Sequence, residues 1–375
     1  MSNLRRIGIL LNAAGVSSKV FDKLYTNYDL NQIYDGENFW SELGLTFPQQ
    51  NKLRGLIARD SFIDDELERL ENFHARFITM FDPEYPARLR DLKRPPIGLY
   101  VLGNADFRRG SVAIVGTRKC DEYGRRNAFT LAAKLSRAGI IVISGGAKGI
   151  DTAAHQGALS VDGVTFAVFG TGLDKIYPTG NRALFEKITQ KGGALISEYA
   201  FGTHGTLWTF PDRNRIVTGL ADRIIVVQSP KDGGAMITAR DAKDLNREVR
   251  VIPGSINEPL NKGTNQLVNE GAKNIPDIDE FVAELVHELC DSDAQLQLGL
   301  EEIMPPEPEA PKIPADLSDD EAKIYSLIQI QGNRTLDTLV SESGLDLMTV
   351  NSALMMLESL GYVQALGGRY SLGKI

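Results

Sequence analysis

The side chains in this sequence with the most chemistry to offer sit between apolar runs, and most are cations. In "VAIVGTRKCDEYG" the apolar stretch Val112 to Val115 stops at Gly116, followed by Thr117 and Arg118. An apolar run that breaks on glycine predicts a buried strand ending in a turn, with a helix beginning near Tyr123. Such turns point free backbone N–H groups outward, where a phosphate can bind. A hydroxyl and a guanidinium beside them suit one phosphate, since the guanidinium fork donates charge-assisted hydrogen bonds. The three-glycine fingerprint of a dinucleotide turn is missing. Three residues are a weak motif, and standing alone they read by default as a surface arginine after a strand.

Other loops add to the set. "SGGAKGIDTAAHQGAL" surrounds Lys148 with glycines at 145, 146 and 149, which permit tight turns or close approach of a ligand. Lys148 is expected at the loop tip, within reach of an anion, and Asp151 at the N-cap of the next helix. Asp151 and His155 stand four apart, a spacing at which they can pair with each other. No nucleophile accompanies them, so structural service accounts for them better than acid–base catalysis. "GLDKIYPTGNRALF" groups Lys175, Tyr177 and Arg182, and "GTLWTFPDRNRIVTGLAD" adds Trp208, Phe210, Arg213, Asn214 and Arg215. Cations mixed with aromatics over neighbouring loops are what single-stranded nucleic acid requires. Charges follow the backbone, and each base stacked on a ring contributes about 1–3 kcal/mol. Core packing is an equal alternative for Phe210, a structural role in a turn or helix start for Asn214, and bracing of their loop for Arg213 and Arg215.

The elements that must position these residues follow from periodicity. Apolar runs at "VAIVG", "IIVISGG", "TFAVFG", "ALISEY", "RIIVVQS" and "VRVIPG" alternate with helical segments. One of these is "YGRRNAFTLAAKLSRAG", where Phe129, Leu131, Ala132 and Leu135 line a face. Alternation of this kind predicts a parallel sheet with helices on both faces and a ligand site at the carboxyl ends of the strands. Residues 1–75 read as an all-α domain of short helices, a protein-contact or backbone-gripping module or simply a cap on the main domain. "RFITMF" and "IGLYVLG" then follow as extended patches. Residues 76–290 form the α/β domain, and residues 291–316, rich in proline and glutamate, a flexible linker. Residues 317–375 show three helical patterns and two short strands around a Gly-Gly turn, the order of a winged helix.

Composition bounds the function classes. The chain has 375 residues, 42% hydrophobic and 24% charged, enough for two or three globular domains. No apolar run reaches membrane-spanning length, and the N-terminal apolar patch is too short for a signal peptide, so a cytoplasmic protein is expected. Cys120 and Cys290 lack C-x-x-C spacing, and four scattered histidines make no metal pattern, so neither metal nor cofactor is expected. The net charge of −8 is unevenly spread. Residues 1–109 are neutral, residues 110–275 carry 21 basic against 15 acidic side chains, and residues 276–375 carry 5 against 19. A basic middle fits a polyanion. The third winged-helix segment has no Lys or Arg, which makes it a poor major-groove reader and points to protein contact or regulation.

Taken in order, "IVGTR…YG", "SGGAKGIDTAAHQGAL", "FGTGLDKIYPTGNRAL", "SEY", "FPDRNRIVTGLAD", "GGAMITARDA" and "VIPGSINEPLNKGTN" resemble the bacterial DNA-processing protein A (DprA/Smf) family across most of Arg76 to Ala272. The resemblance implies an extended Rossmann-like domain, often flanked by a sterile-alpha-motif-like N-terminal domain and a C-terminal winged helix. It also implies a homodimer that binds and protects single-stranded DNA, helps load the RecA recombinase during natural transformation, and catalyses nothing. Gly116, Thr117 and Arg118 become the expected phosphate site, and Tyr177 to Asn181 a second DNA contact. Thr179 stands where other members often have Lys after Tyr-Pro, and Trp208 lies near a position that is Lys in some. Gly146 replaces the middle residue of the family's Gly-Leu-Ala, a change expected to act on packing. The rival is a nucleotide sensor, or an enzyme resembling nucleoside-monophosphate phosphoribohydrolases on a related fold. Those enzymes carry a Pro-Gly-Gly-x-Gly-Thr loop and a catalytic glutamate, and "FPDRNRIVTGLAD" has neither.

Overall fold

The computed structural model describes residues 3–289, 314, 317–331, 334–366 and 369–372. Five helices come first: α1 (Asn3–Ala14), α2 (Ser18–Asn27), α3 (Glu37–Leu43), α4 (Phe47–Ala58) and α5 (Phe62–Asn72). Their starts are written in side chains. The Ser17 hydroxyl accepts from Val20 N, and at α4 Thr46 and Gln49 form a capping box ahead of Pro48. The helices bury Ile7, Leu10, Phe21, Leu24 and Trp40 in a core that continues into Phe77, Tyr100 and Phe201 beneath them. The helical segment therefore shares its core with the α/β region. The chain divides into two compact units, residues 1–305 and 306–375.

The sheet has nine strands: β1 (Ala75–Thr79), β2 (Gly98–Gly103), β3 (Ser111–Val115), β4 (Ile141–Ser144), β5 (Thr165–Phe169), β6 (Ala194–Ser197), β7 (Arg223–Val226), β8 (Glu248–Val251) and β9 (Lys273–Asn274). Their order is β1-β2-β6-β5-β4-β3-β7-β8-β9. Strands β6 to β9 in this order are mutually parallel, as the strand–helix alternation predicts. The sheet is nonetheless mixed, because β2 runs antiparallel to both β1 and β6. Only a 3₁₀ turn (Ala87–Asp91) lies between β1 and β2, with no helix to carry the chain across the sheet for a parallel return.

Among the described residues of the unit seven further helices follow: α6 (Glu122–Arg137), α7 (Ile150–Ser160), α8 (Arg182–Gln190), α9 (Thr209–Leu220), α10 (Ala235–Asp244), α11 (Lys262–Asn269) and α12 (Ile278–Leu289). Strand β3 shows why both faces need covering. Val112 and Ile114 pack with Leu131 and Leu135 of α6 and Phe281 of α12, while Ala113 and Val115 pack with Ile216 of α9 and Met236 of α10. The sheet order reverses at β3, with β4 on one flank and β7 on the other. That reversal opens a crevice at their carboxyl ends.

The second unit contains α13 (Asp319–Gln331), β10 (Arg334–Thr335), α14 (Leu336–Ser343), α15 (Leu347–Ser359), β11 (Val363–Leu366) and β12 (Arg369–Leu372). Its sheet order is β10-β12-β11, and Ile324, Ile328, Leu339, Val350 and Leu354 form its core. This is the winged-helix arrangement. The Gly367–Gly368 turn and, apart from Pro314, the 291–316 linker lie outside the described residues. Among the described residues no helix is long and apolar enough to cross a membrane.

Candidate nucleic-acid interface

The turn after β3 is held from beneath. A Cβ on Gly116 would lie 2.5 Å from Ile150 Cγ1, so only glycine lets the turn settle against α7. Thr117 N donates to the Gln228 carbonyl at 2.8 Å, the Thr117 carbonyl accepts from Ile150 N at 3.2 Å, and its hydroxyl accepts from Lys119 N at 3.2 Å. Thr117 thus spends its groups on the turn and leaves Arg118 exposed beyond it. Asp121 caps α6 by accepting from Gly124 N at 2.8 Å, and Gln228 Nε2 donates to Asp121 Oδ2 at 2.8 Å and to Asn261 Oδ1 at 3.2 Å. Gln228 is fully buried and ties together the ends of β3, β7 and the start of α11. Sequence reading missed this tie. Its one signal is a polar residue closing the apolar run "RIIVVQS".

Beside the turn lies a cleft of about 350 Å³, whose walls include Thr117, Arg118, Phe210, Asn214, Gly234 and Thr238. The Arg118 guanidinium carbon stands 5.5 Å from the centre of the Phe210 ring, a cation–π distance. The Tyr177 ring lies 5.0 Å from the same ring, tilted by 40°. Phe210 is half-buried, and its packed ring supports one cation and one aromatic, with Tyr177 52% exposed above the surface. The "GGAM" segment at the start of α10 contributes Gly233 and Gly234 to the cleft.

The remaining cations divide by exposure. Lys148 and Arg182 are exposed and have no acidic partner among the described residues. Lys175 is half-exposed, with Asp174 at 3.3 Å. Their loops adjoin because Asn181 Nδ2 donates to the Gly146 carbonyl at 3.0 Å and to Thr152 Oγ1 at 2.8 Å. Asn181 is buried, so it fastens the Tyr-Pro loop to the glycine loop and offers no side-chain group to a ligand. Gly146 takes φ +68°, and a Cβ there would meet Phe185 at 2.8 Å.

Two arginines face inward. Arg213 is 4% exposed, and its Nη1 donates to the carbonyls of Gly145 and Val168. Burial lowers its pKa to about 10, against the pull of Asp151, so it stays charged at neutral pH. Arg215 pairs with Glu198 and lies 3.6 Å from Asp212. Both guanidiniums brace the loops from below. Asn214 lines the cleft within α9, where its carbonyl accepts from the Thr218 hydroxyl at 3.0 Å.

Asp151 and His155 do not pair. Gly149, at φ +81°, holds the N-cap position of α7, and Asp151 in the first turn accepts from Ala147 N at 3.2 Å. Burial raises the Asp151 carboxyl, with Arg213 the main opposing charge. His155 Nδ1 meets Thr165 Oγ1 at 2.7 Å, while that hydroxyl donates to the Val142 carbonyl at 2.6 Å. The hydroxyl proton being committed, His155 carries its own proton on Nδ1. Burial, helped by Arg213, lowers its pKa to about 3, so it is neutral and structural.

Residues 76–286 match the family model described as DNA recombination-mediator protein A, and residues 307–369 match the DprA winged helix domain. Protein Smf of Synechocystis is 34% identical over 327 residues, covering 81% of this chain and 82% of its own length. DNA processing protein DprA of Streptococcus pneumoniae is 36% identical over 226 residues, 60% of this chain and 78% of that protein. A solved structure of the Streptococcus pneumoniae protein aligns with a TM-score of 0.63 at 31% identity, covering 73% of this chain and 95% of that one. That of Helicobacter pylori DNA processing protein A, described for its single-stranded DNA binding mode, aligns at 0.53 and 33% identity over 58% and 99% of the two chains. With the α/β region, the winged helix and the matched relatives in agreement, this chain belongs to the DNA recombination-mediator protein A (DprA/Smf) family.

Proposed function

We propose that the protein binds single-stranded DNA without sequence preference, across the loops that follow β3, β4 and β5. Arg118, Lys148, Lys175 and Arg182 neutralise phosphates, Gly116 and Thr117 shape the turn that presents Arg118, and Tyr177 stacks on a base. Asn214 lines the path, and Arg213 and Arg215 hold its floor. The observation that carries this reading is the Phe210 ring lying within 5.5 Å of Arg118 and 5.0 Å of Tyr177. One rigid support thereby sets a phosphate-binding cation beside a base-stacking ring. The Helicobacter pylori relative, described as a single-stranded DNA binder, supports the same ligand class.

The chain acts in this account as a binding protein in the cytoplasm, not an enzyme, and works as a homodimer whose paired grooves raise avidity. It protects incoming DNA and helps load the RecA recombinase during uptake and recombination. The winged-helix unit serves protein contact or regulation.

The test is fluorescence anisotropy of labelled oligo-dT across a salt series. Arg118→Ala should weaken binding by about tenfold to a hundredfold, the value of one charge-assisted contact, and shallow the log–log salt slope by about 0.7. Equal binding by variant and wild type, or displacement of the oligonucleotide by a mononucleotide, would overturn the assignment.

A further inference from the structure

A second and larger cleft, about 940 Å³, runs between the N-terminal helices and the segment that follows β6, Glu198 to Thr203. Seven cationic side chains line it against two carboxylates, Glu198 and Asp212, while Arg59 and Lys93 pair with Asp65 and Asp244 outside the lining. Both carboxylates are occupied, Glu198 by Arg215 and Asp212 by Arg94. On the helical wall, Lys19 of α2 and Lys52 of α4 are exposed and have no acidic partner among the described residues. Among the described residues Arg69 pairs with Glu66, at 3.3 Å, a buried carboxylate that also accepts from the Tyr100 hydroxyl and Phe201 N. Such a wall carries uncompensated positive charge next to low-dielectric walls, which concentrates anions.

This cleft connects with the one at the β3 turn. A hollow of about 440 Å³ shares Lys93, Arg94, Asp212 and Arg215 with the large cleft, and Pro211 and Ile237 with the β3-turn cleft. Trp208 lines this middle hollow and is 84% exposed; Asp241 and Asp244 line it too, with Asp244 held by Lys93. An indole that solvent reaches on most of its surface, set between two cationic clefts, is placed as a stacking surface.

We propose, resting on the single-strand reading above, that a DNA strand leaving the β3-turn cleft crosses Trp208 and seats its next phosphates against Lys19 and Lys52 beneath the N-terminal helices. The helical segment is then part of the DNA-binding surface and lengthens the footprint of the chain. Lys19 and Lys52 set the far end of the path.

The test uses the full chain and two oligo-dT lengths, about 4 and about 20 nucleotides, which span the roughly 4–16 nucleotides that single-strand sites occupy. The double variant Lys19→Ala/Lys52→Ala should bind the long oligonucleotide about tenfold more weakly, with a salt slope shallower by about 1.4 for two lost phosphate contacts. It should bind the short one as wild type does. The long oligonucleotide should quench tryptophan fluorescence, and Trp208→Phe should abolish that quenching; circular dichroism checks that both variants fold. Wild-type affinity of the double variant for both lengths, or an equal loss on both, overturns the extended path. Undiminished binding by Arg118→Ala overturns the β3-turn site instead, so the two failures are distinguishable.

Discussion

Helices α9 and α15 handle charge in opposite ways. Helix α9 carries two arginines and turns both inward, Arg213 onto backbone carbonyls and Arg215 onto Glu198, while the cations left for a ligand come from loops. Helix α15 occupies the recognition position of a winged helix, yet it has no Lys or Arg. Its exposed face presents Leu347, Met348, Met355 and Met356. An apolar, cation-free surface cannot release counterions from a polyphosphate, whereas methionine-rich faces adapt to protein partners. A fold is therefore a scaffold, and charge placement is the feature by which the proposed DNA path is assigned to one of the two nucleic-acid-type folds in this chain.

The largest effect that would sharpen this contrast is on stability. Arg213→Met should cost the first unit about 3–5 kcal/mol, because the buried Asp151 would lose its main opposing charge and the Gly145 and Val168 carbonyls their donor. Urea unfolding followed by tryptophan fluorescence reads that unit alone, since Trp40 and Trp208 both lie in it. A loss below about 1 kcal/mol would show that Arg213 is no brace. Next in size is Arg118→Ala, whose loss of oligo-dT affinity of about 1.5–3 kcal/mol should come with an unchanged unfolding midpoint.

Acid sensitivity should divide the units as well. All four histidines fall within residues 1–305. His155 has a folded pKa of about 3 against an ordinary 6.5, so the unfolded state takes up the proton first. Its contribution is complete above pH 6.5 and falls as pH drops towards 3, by about 2 kcal/mol at pH 5. His155→Gln should flatten that part of the pH–stability profile; the raised Asp151 carboxyl acts in the opposite sense. A profile unchanged by the substitution would mean that His155 titrates alike in the folded and unfolded protein. The smallest effect is expected at α15, where Met355→Lys should alter oligo-dT affinity by no more than about twofold. A strong gain or loss there would break the contrast, because it would put α15 on the DNA path.

Much of the fold was legible because local pattern carries it. The apolar runs at Val112, Ile141, Thr165, Ala194 and Arg223 all became strands, and the face of Phe129, Leu131, Ala132 and Leu135 is buried. The antiparallel turn of β2 was not legible, since strand direction depends on the path between strands, and Ala87–Asp91 gives no periodic signal. Nor was the shared core of the helices and the sheet, which joins Phe21 and Trp40 to Tyr100 and Phe201. At the candidate site, Arg118 and Lys148 were readable as loop cations and Arg182 as a cation in a strand-to-helix connection, where it opens α8; all three are exposed. The inward turn of Arg213 and Asn181 was not, since their partners Val168, Gly145, Gly146 and Thr152 lie tens of residues away.

The sequence by itself determined which segments are strands and helices, where the charge lies, and which family the loops belong to. Each of these follows from residues within a few positions of one another or from simple sums along the chain. Tertiary structure decided which cations remain free, which ring supports which, and that Gln228 locks three loop ends together. Those outcomes depend on what packs over a side chain from elsewhere in the chain. A guanidinium is a ligand group or a brace according to whether water or backbone carbonyls surround it.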